Sequence, residues 1–135
     1  MVNLENLNKD LTEIADKRIA LSELNYDDEH YDLLEEELHD LEDGFLKKYD
    51  DFLEDIFMNL HDEFSPDTEI FSPLAYLAKN YIRKAENLYE VSDEQGVWME
   101  VEKIPSKEAY LVLLPQPLRI MLMANGFKKI VWQVA

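Results

Sequence analysis

Apolar residues recur at helical spacing in two runs near the start of the chain, and only a short polar stretch separates the runs. The first run gives an apolar face to a helix predicted over residues 3–24, and the second begins at Tyr31 and continues to Leu60. Each narrow apolar stripe needs a cover, and the short link leaves each helix no other neighbour. The pattern therefore predicts a long, antiparallel, coiled-coil-like helical hairpin.

Gly44 lies inside the second run, where glycine costs a helix about 1 kcal/mol relative to alanine. The apolar spacing nevertheless keeps its phase from Leu41 to Phe45. The sequence thus predicts a weak point at Gly44 and does not decide whether the helix is divided there.

The rest of the chain mixes helix and strand signals. Ser72-Pro73 is typical of a helix start, and apolar spacing from Leu74 predicts a third helix that ends near Tyr89. Residues 97–102 alternate between the two faces of a predicted strand, and the apolar run 109–114 predicts another. These signals indicate a small α+β unit.

The last twenty residues allow two interpretations, because Asn125-Gly126 suits either a hairpin turn or the end of a helix. We favour a helix after Pro117 followed by a strand over 128–134. The predicted fold is then α+β and mostly α: an acidic helical hairpin over residues 1–64, a third helix, and about three strands. The third helix and the strands form a unit over residues 65–135 that packs on the end of the hairpin.

Thirty acidic and thirteen basic residues give the chain a net charge of −17. Residues 1–72 hold 23 acidic and 5 basic residues, whereas residues 73–135 hold 7 and 8. An acidic surface repels a phosphate backbone, so we expect no nucleic acid as a partner. The charge favours a basic protein as partner, and an acidic imitation of nucleic acid that blocks such a protein is an alternative.

Several kinds of chemistry have no support in the sequence. The chain has no cysteine and only three glycines, which excludes thiolate chemistry and the usual nucleotide-binding loops. Glu36 and His39 have a spacing known from carboxylate metal sites, but they lie opposite the apolar seam and are predicted to face water. We expect no metal and no cofactor, and we favour a function that is not enzymatic. No run is apolar enough to span a membrane and no signal peptide is apparent, so the predicted location is the cytoplasm.

The leading hypothesis is a non-catalytic interaction or self-assembly module that uses the acidic hairpin, as a homodimer or larger assembly. An alternative is a small-molecule binder or small enzyme with a site in the aromatic C-terminal unit. Strand alternation places Trp98 beside Glu100, which suggests an exposed contact residue. The candidate interface residues are Trp98, Lys79, Arg83, Lys84, Phe57 and Leu53.

Overall fold

The computed structural model describes residues 2–85 and 88–134, and this part of the chain contains two α-helices and six β-strands. The helices are α1 (Leu4–Ser22) and α2 (Tyr31–Phe64), and a short 3₁₀ turn covers Pro73–Tyr76. The strands are β1 (Ile82–Ala85), β2 (Leu88–Glu90), β3 (Val97–Glu100), β4 (Glu108–Leu114), β5 (Arg119–Ala124) and β6 (Phe127–Gln133). Strands β1 and β2 pair with each other, and the other four form an antiparallel sheet in the order β3-β4-β5-β6.

The two helices lie where the sequence predicts them, and they run antiparallel. Near one end of the pair, the Tyr49 hydroxyl donates to Asp10 at 2.6 Å. Near the other end, Arg18 forms an ion pair with Glu42 at 3.2 Å and also donates to the Ala78 carbonyl. Arg18 stands at a position of α1 where the helical spacing of the first run would place an apolar residue. It is accommodated there because Glu42 and the Ala78 carbonyl are both within its reach. Helix α2 continues through Gly44 without a break.

The apolar faces of both helices are buried against one face of the four-stranded sheet. The main core joins Leu7, Leu11, Ile14, Phe45, Leu53 and Phe57 of the helices to Met99, Leu111, Leu113, Ile120 and Leu122 of the strands. The sheet thus covers the apolar helix faces that the sequence pattern predicted to be buried by helix–helix contact alone.

The opposite face of the sheet has a smaller core of its own, which the segment around β1 and β2 covers. Its buried members are Ala15, Ala78, Tyr81, Tyr89, Val91, Val112, Leu114 and Met123. Asp16 of α1 accepts hydrogen bonds from the Arg83 guanidinium and the Tyr89 hydroxyl. These bonds connect the β1–β2 pair to the first helix.

The predicted third helix, from Leu74 to Tyr89, is wrong. Only the 3₁₀ turn forms there, and β1 and β2 occupy the remainder, apart from residues 86 and 87, which lie outside the described residues. Leu77 makes a parallel bridge to Leu113 beyond the end of β3, and the Tyr81 hydroxyl donates to the Leu113 carbonyl at 2.8 Å. These contacts with β4 hold the segment along the sheet in a path that is not helical.

The favoured helix after Pro117 is also wrong, and the hairpin interpretation is correct. Residues 119–124 form β5, and Asn125-Gly126 is the two-residue turn to β6. Gly126 has a φ of 75°, which glycine adopts without steric cost. The leucines and methionines favour a strand here because both sheet faces are covered: Ile120 and Leu122 face the main core while Met121 and Met123 face the second core.

The predicted combination of a long hairpin, a third helix and about three strands is therefore wrong, although the fold is α+β. The predicted strands at 97–102 and 109–114 are confirmed as β3 and β4. In the described ranges, no helix is both long and apolar enough to cross a membrane.

Candidate functional site

A buried polar network fixes the end of α2 and the loop that follows it. The side chain of His61 is only 2% exposed, and its Nδ1 lies 3.0 Å from the Thr68 hydroxyl. Its Nε2 lies 2.8 Å from the Tyr76 hydroxyl. The Thr68 hydroxyl donates to the Ser65 carbonyl, and the Tyr76 hydroxyl accepts from the Phe71 amide. Thr68 therefore accepts from Nδ1–H and Tyr76 donates to Nε2, which is the pattern of a neutral imidazole.

Packing strengthens this network from the core side. The Tyr76 ring stacks on Phe57 of α2 with 3.7 Å between ring centroids and an angle of 11° between the planes. Burial also lowers the pKa of His61, although Thr68 and Asp62 act weakly in the opposite direction. The loop after α2 is thus held in one position relative to the helix.

Strand β3 borders this loop and carries Trp98. Val97 and Met99 point into the main core, whereas Trp98 and Glu100 are exposed. Gly96 permits the close approach of β3 to β4: it has a φ of 94°, and a Cβ atom there would lie 2.2 Å from the Leu111 carbonyl oxygen. The sheet order leaves β3 as an edge strand, with 44% of Trp98 exposed to solvent.

A cleft of about 510 Å³ separates the end of α2 from this edge. Five carboxylates line it, together with Lys103, Trp98 and the backbone of the loop after α2. We call it the acidic cleft; its charged and aromatic residues are Asp62, Glu63, Asp67, Trp98, Glu100, Glu102 and Lys103. Five carboxylates against one ammonium group make the potential strongly negative, and a concave surface concentrates that field.

The negative surface continues along the sheet edge beyond the acidic cleft. A second, more open depression shares Glu100 and Glu102 with it and adds Ser106, Lys107 and Glu108. Glu108 pairs with Glu100 across β3 and β4. The carboxylates of Glu100, Glu102 and Glu108 therefore lie together at the C-terminal end of β3.

The acidic cleft is lined by five carboxylates, one ammonium group and one indole. The one nearby histidine, His61, is buried in the network behind the loop and does not line the cleft. Within residues 2–85 and 88–134, no three histidine or acidic side chains form a group that could hold a metal ion. Glu36 and His39 are exposed on α2, as predicted.

The structure separates the predicted interface residues from one another. Trp98 lines the acidic cleft, whereas Leu53 and Phe57 are fully buried in the core of the chain itself and have no surface to offer a partner. Arg83 is exposed but bonded to Asp16 and Tyr89, and Lys79 and Lys84 are exposed nearby.

The acidic partners of Trp98 on α2 and on the loop after it escaped the sequence reasoning, whereas strand alternation placed Glu100 beside Trp98. Asp62 and Asp67 are more than thirty positions away from it in the chain, and only the packing of the sheet on α2 brings them together. Strand alternation is the one local signal that pointed to this place, because it identified Trp98 as exposed.

Comparison with known proteins gives no relative from which a role can be transferred. No family model matches the sequence, and no curated protein and no solved structure matches it significantly.

Proposed function

We propose that this chain is a non-catalytic protein-interaction module that binds a basic segment of another protein in the acidic cleft. The observation that carries the proposal is the arrangement of five carboxylates around an exposed tryptophan at a sheet edge. The sequence hypothesis of a module with an acidic hairpin is retained in part: α2 contributes its C-terminal end, and β3 contributes the other wall. The interaction is proposed to take place in the cytoplasm.

Charge and aromatic character together favour lysine or arginine side chains as ligands. Carboxylates on both walls attract a cation from a distance and raise its rate of encounter. The face of Trp98 is available for a cation–π contact, in which a tryptophan ring gains about 0.5–2 kcal/mol from an ammonium or guanidinium group. A neutral or acidic ligand would gain neither contribution.

The shape of the site favours an extended protein segment over a single small cation. The acidic cleft opens onto a second depression along the same edge, so the negative surface is longer than one side chain. Strand β3 lies at the edge of its sheet, where backbone N–H and C=O groups on the outer side are free to pair with an added strand. A bound segment would thus combine backbone pairing with contacts from its basic side chains.

Self-assembly through the hairpin and imitation of a nucleic acid stay predictions. Self-assembly through the hairpin needs apolar helix surface that the chain itself leaves uncovered, and Ala15, Leu53 and Phe57 are buried within the chain. The acidic cleft therefore offers better support for binding a different, basic protein.

Titration of the protein with a ten-residue lysine- and arginine-rich peptide tests the proposal. The signal is the part of the tryptophan fluorescence change that is absent in Trp98→Ala, because Trp132 also fluoresces. Trp98→Ala is expected to weaken binding, measured by calorimetry, about five- to thirtyfold, because a cation–π contact worth about 1–2 kcal/mol is lost. Glu100→Gln with Glu102→Gln is expected to weaken it about three- to tenfold at low salt.

The matched control is Glu36→Gln with Asp43→Asn, which removes the same charge from exposed positions on α2 away from the acidic cleft. This variant should bind the peptide almost as well as the unaltered protein. Equal losses in the two charge variants would contradict the proposal, because net charge alone would then explain binding.

A further inference from the structure

Another, smaller cleft lies on the face of the sheet away from the two helices, between β2 and the strands β5 and β6. Its volume is about 220 Å³, and it shares no lining residue with the acidic cleft. Five apolar side chains make up most of its wall: Val91, Leu114, Met121, Met123 and Ile130. The charged residues that line it are Glu90, Arg119 and Lys128. We call it the sheet-face cleft.

Arg119 gives this apolar cleft a buried positive charge. The residue is only 6% exposed, and its guanidinium donates to the backbone carbonyls of Tyr89, Pro115 and Pro117. In the described part of the chain, no carboxylate lies within ion-pair distance of it. Three neutral carbonyl dipoles thus hold the guanidinium at hydrogen-bond distance, and the carboxylate of Glu90 attracts it from farther away.

Within residues 2–85 and 88–134, the Nε atom of Arg119 makes no hydrogen bond, whereas both terminal nitrogens donate to backbone carbonyls. Arg119 itself lines the cleft.

The local charge balance is opposite to that of the whole chain. Arg119 and Lys128 together carry two positive charges, against one negative charge on Glu90, in a chain of net charge −17. An anion that enters the cleft meets an ammonium group at the rim and a guanidinium edge in the wall. A carboxylate is one of the anions whose geometry matches a guanidinium edge.

We propose that the sheet-face cleft binds a small carboxylate with an unbranched apolar tail. The methionine and isoleucine side chains would surround the tail, since flexible thioethers adapt to apolar ligands of varied shape. The carboxylate would pair with Arg119, and Lys128 would attract it from the rim. A cleft of this volume is smaller than the roughly 300–1,000 Å³ of most drug-sized sites, so the tail is short and medium-chain fatty acids are the appropriate class.

The experiment uses octanoate as the probe and methionine methyl signals in NMR spectra as the readout. Octanoate is expected to shift the methyls of Met121 and Met123 saturably and to leave Met58 and Met99 unchanged, since neither of these lines the cleft. Octanol has a tail of the same length without the charge, and it is expected to bind at least about tenfold more weakly because it forms no charged pair.

Lys128→Gln tests the rim of the cleft without disturbing the buried Arg119. Octanoate affinity should fall about two- to fivefold, which is the usual effect of one exposed charge. Lys129→Gln is the matched control, because Lys129 lies on the other side of the same strand, over the Phe64 ring. Equal binding of octanol and octanoate, equal losses in the two variants, or shifts confined to other methyls would overturn the proposal.

Discussion

At the scale of single residues, burial decides what His61 does. Its two neighbours in the hydrogen-bond network hold the imidazole neutral, and the loss of water lowers its pKa below the ordinary value of 6.5. The unfolded chain therefore takes up a proton at a higher pH than the folded chain does. By linkage, the neutral ring is fully stabilising above pH 6.5, and this stability is lost as the pH falls from 6.5 toward the lower folded pKa.

This difference predicts a pH-dependent stability that His61→Gln removes. Urea unfolding at pH 7.5 and pH 5.5 should show a larger loss of unfolding free energy for the unaltered protein than for the variant. At pH 7.5 the variant itself should be less stable by about 1–3 kcal/mol, because buried hydroxyl partners lose a bond. The control is His39→Gln, at an exposed position, which should behave like the unaltered protein. If the stability of His61→Gln depended on pH as strongly as that of the unaltered protein, this account would be contradicted.

At the scale of elements, some apolar patterns predicted structure correctly and others did not. Both helices and β3 follow from apolar spacing, and β4 follows from a continuous apolar run. The segment from Leu74 to Tyr89 has helical spacing over only four turns, and contacts with β4 outweigh it. Leucine and methionine in β5 looked helical because the sequence does not reveal that both sheet faces are covered.

The continuous path of α2 through Gly44 leads to a stability prediction. An added methyl group at this position meets nothing within 4 Å, so Gly44→Ala should stabilise the protein by about 1 kcal/mol through helix propensity. Thermal unfolding should show a rise in Tm of about 2–6 °C. Gly126→Ala is the contrasting control, since its φ of 75° disfavours alanine and should lower Tm. A fall in Tm for Gly44→Ala would indicate that the helix is divided or bent at this residue.

At the scale of the whole molecule, one sheet carries two clefts of opposite excess charge. The acidic cleft lies where the end of α2 meets the β3 edge, and the sheet-face cleft with its excess of positive charge lies under β2. The sequence revealed the uneven charge and the exposure of Trp98. It did not reveal either cleft, because each one is formed by residues far apart in the chain that only the sheet order brings together.

The central claim is that a basic segment binds in the acidic cleft, and amide chemical-shift mapping with the lysine- and arginine-rich peptide tests it most directly. At low salt, we predict shifts concentrated in residues 62–68 and 97–103, which weaken as salt is added because the attraction is screened. Shifts spread along the exposed side of α2 over residues 32–51, with none at the β3 edge, would contradict the claim, as would the absence of any shift.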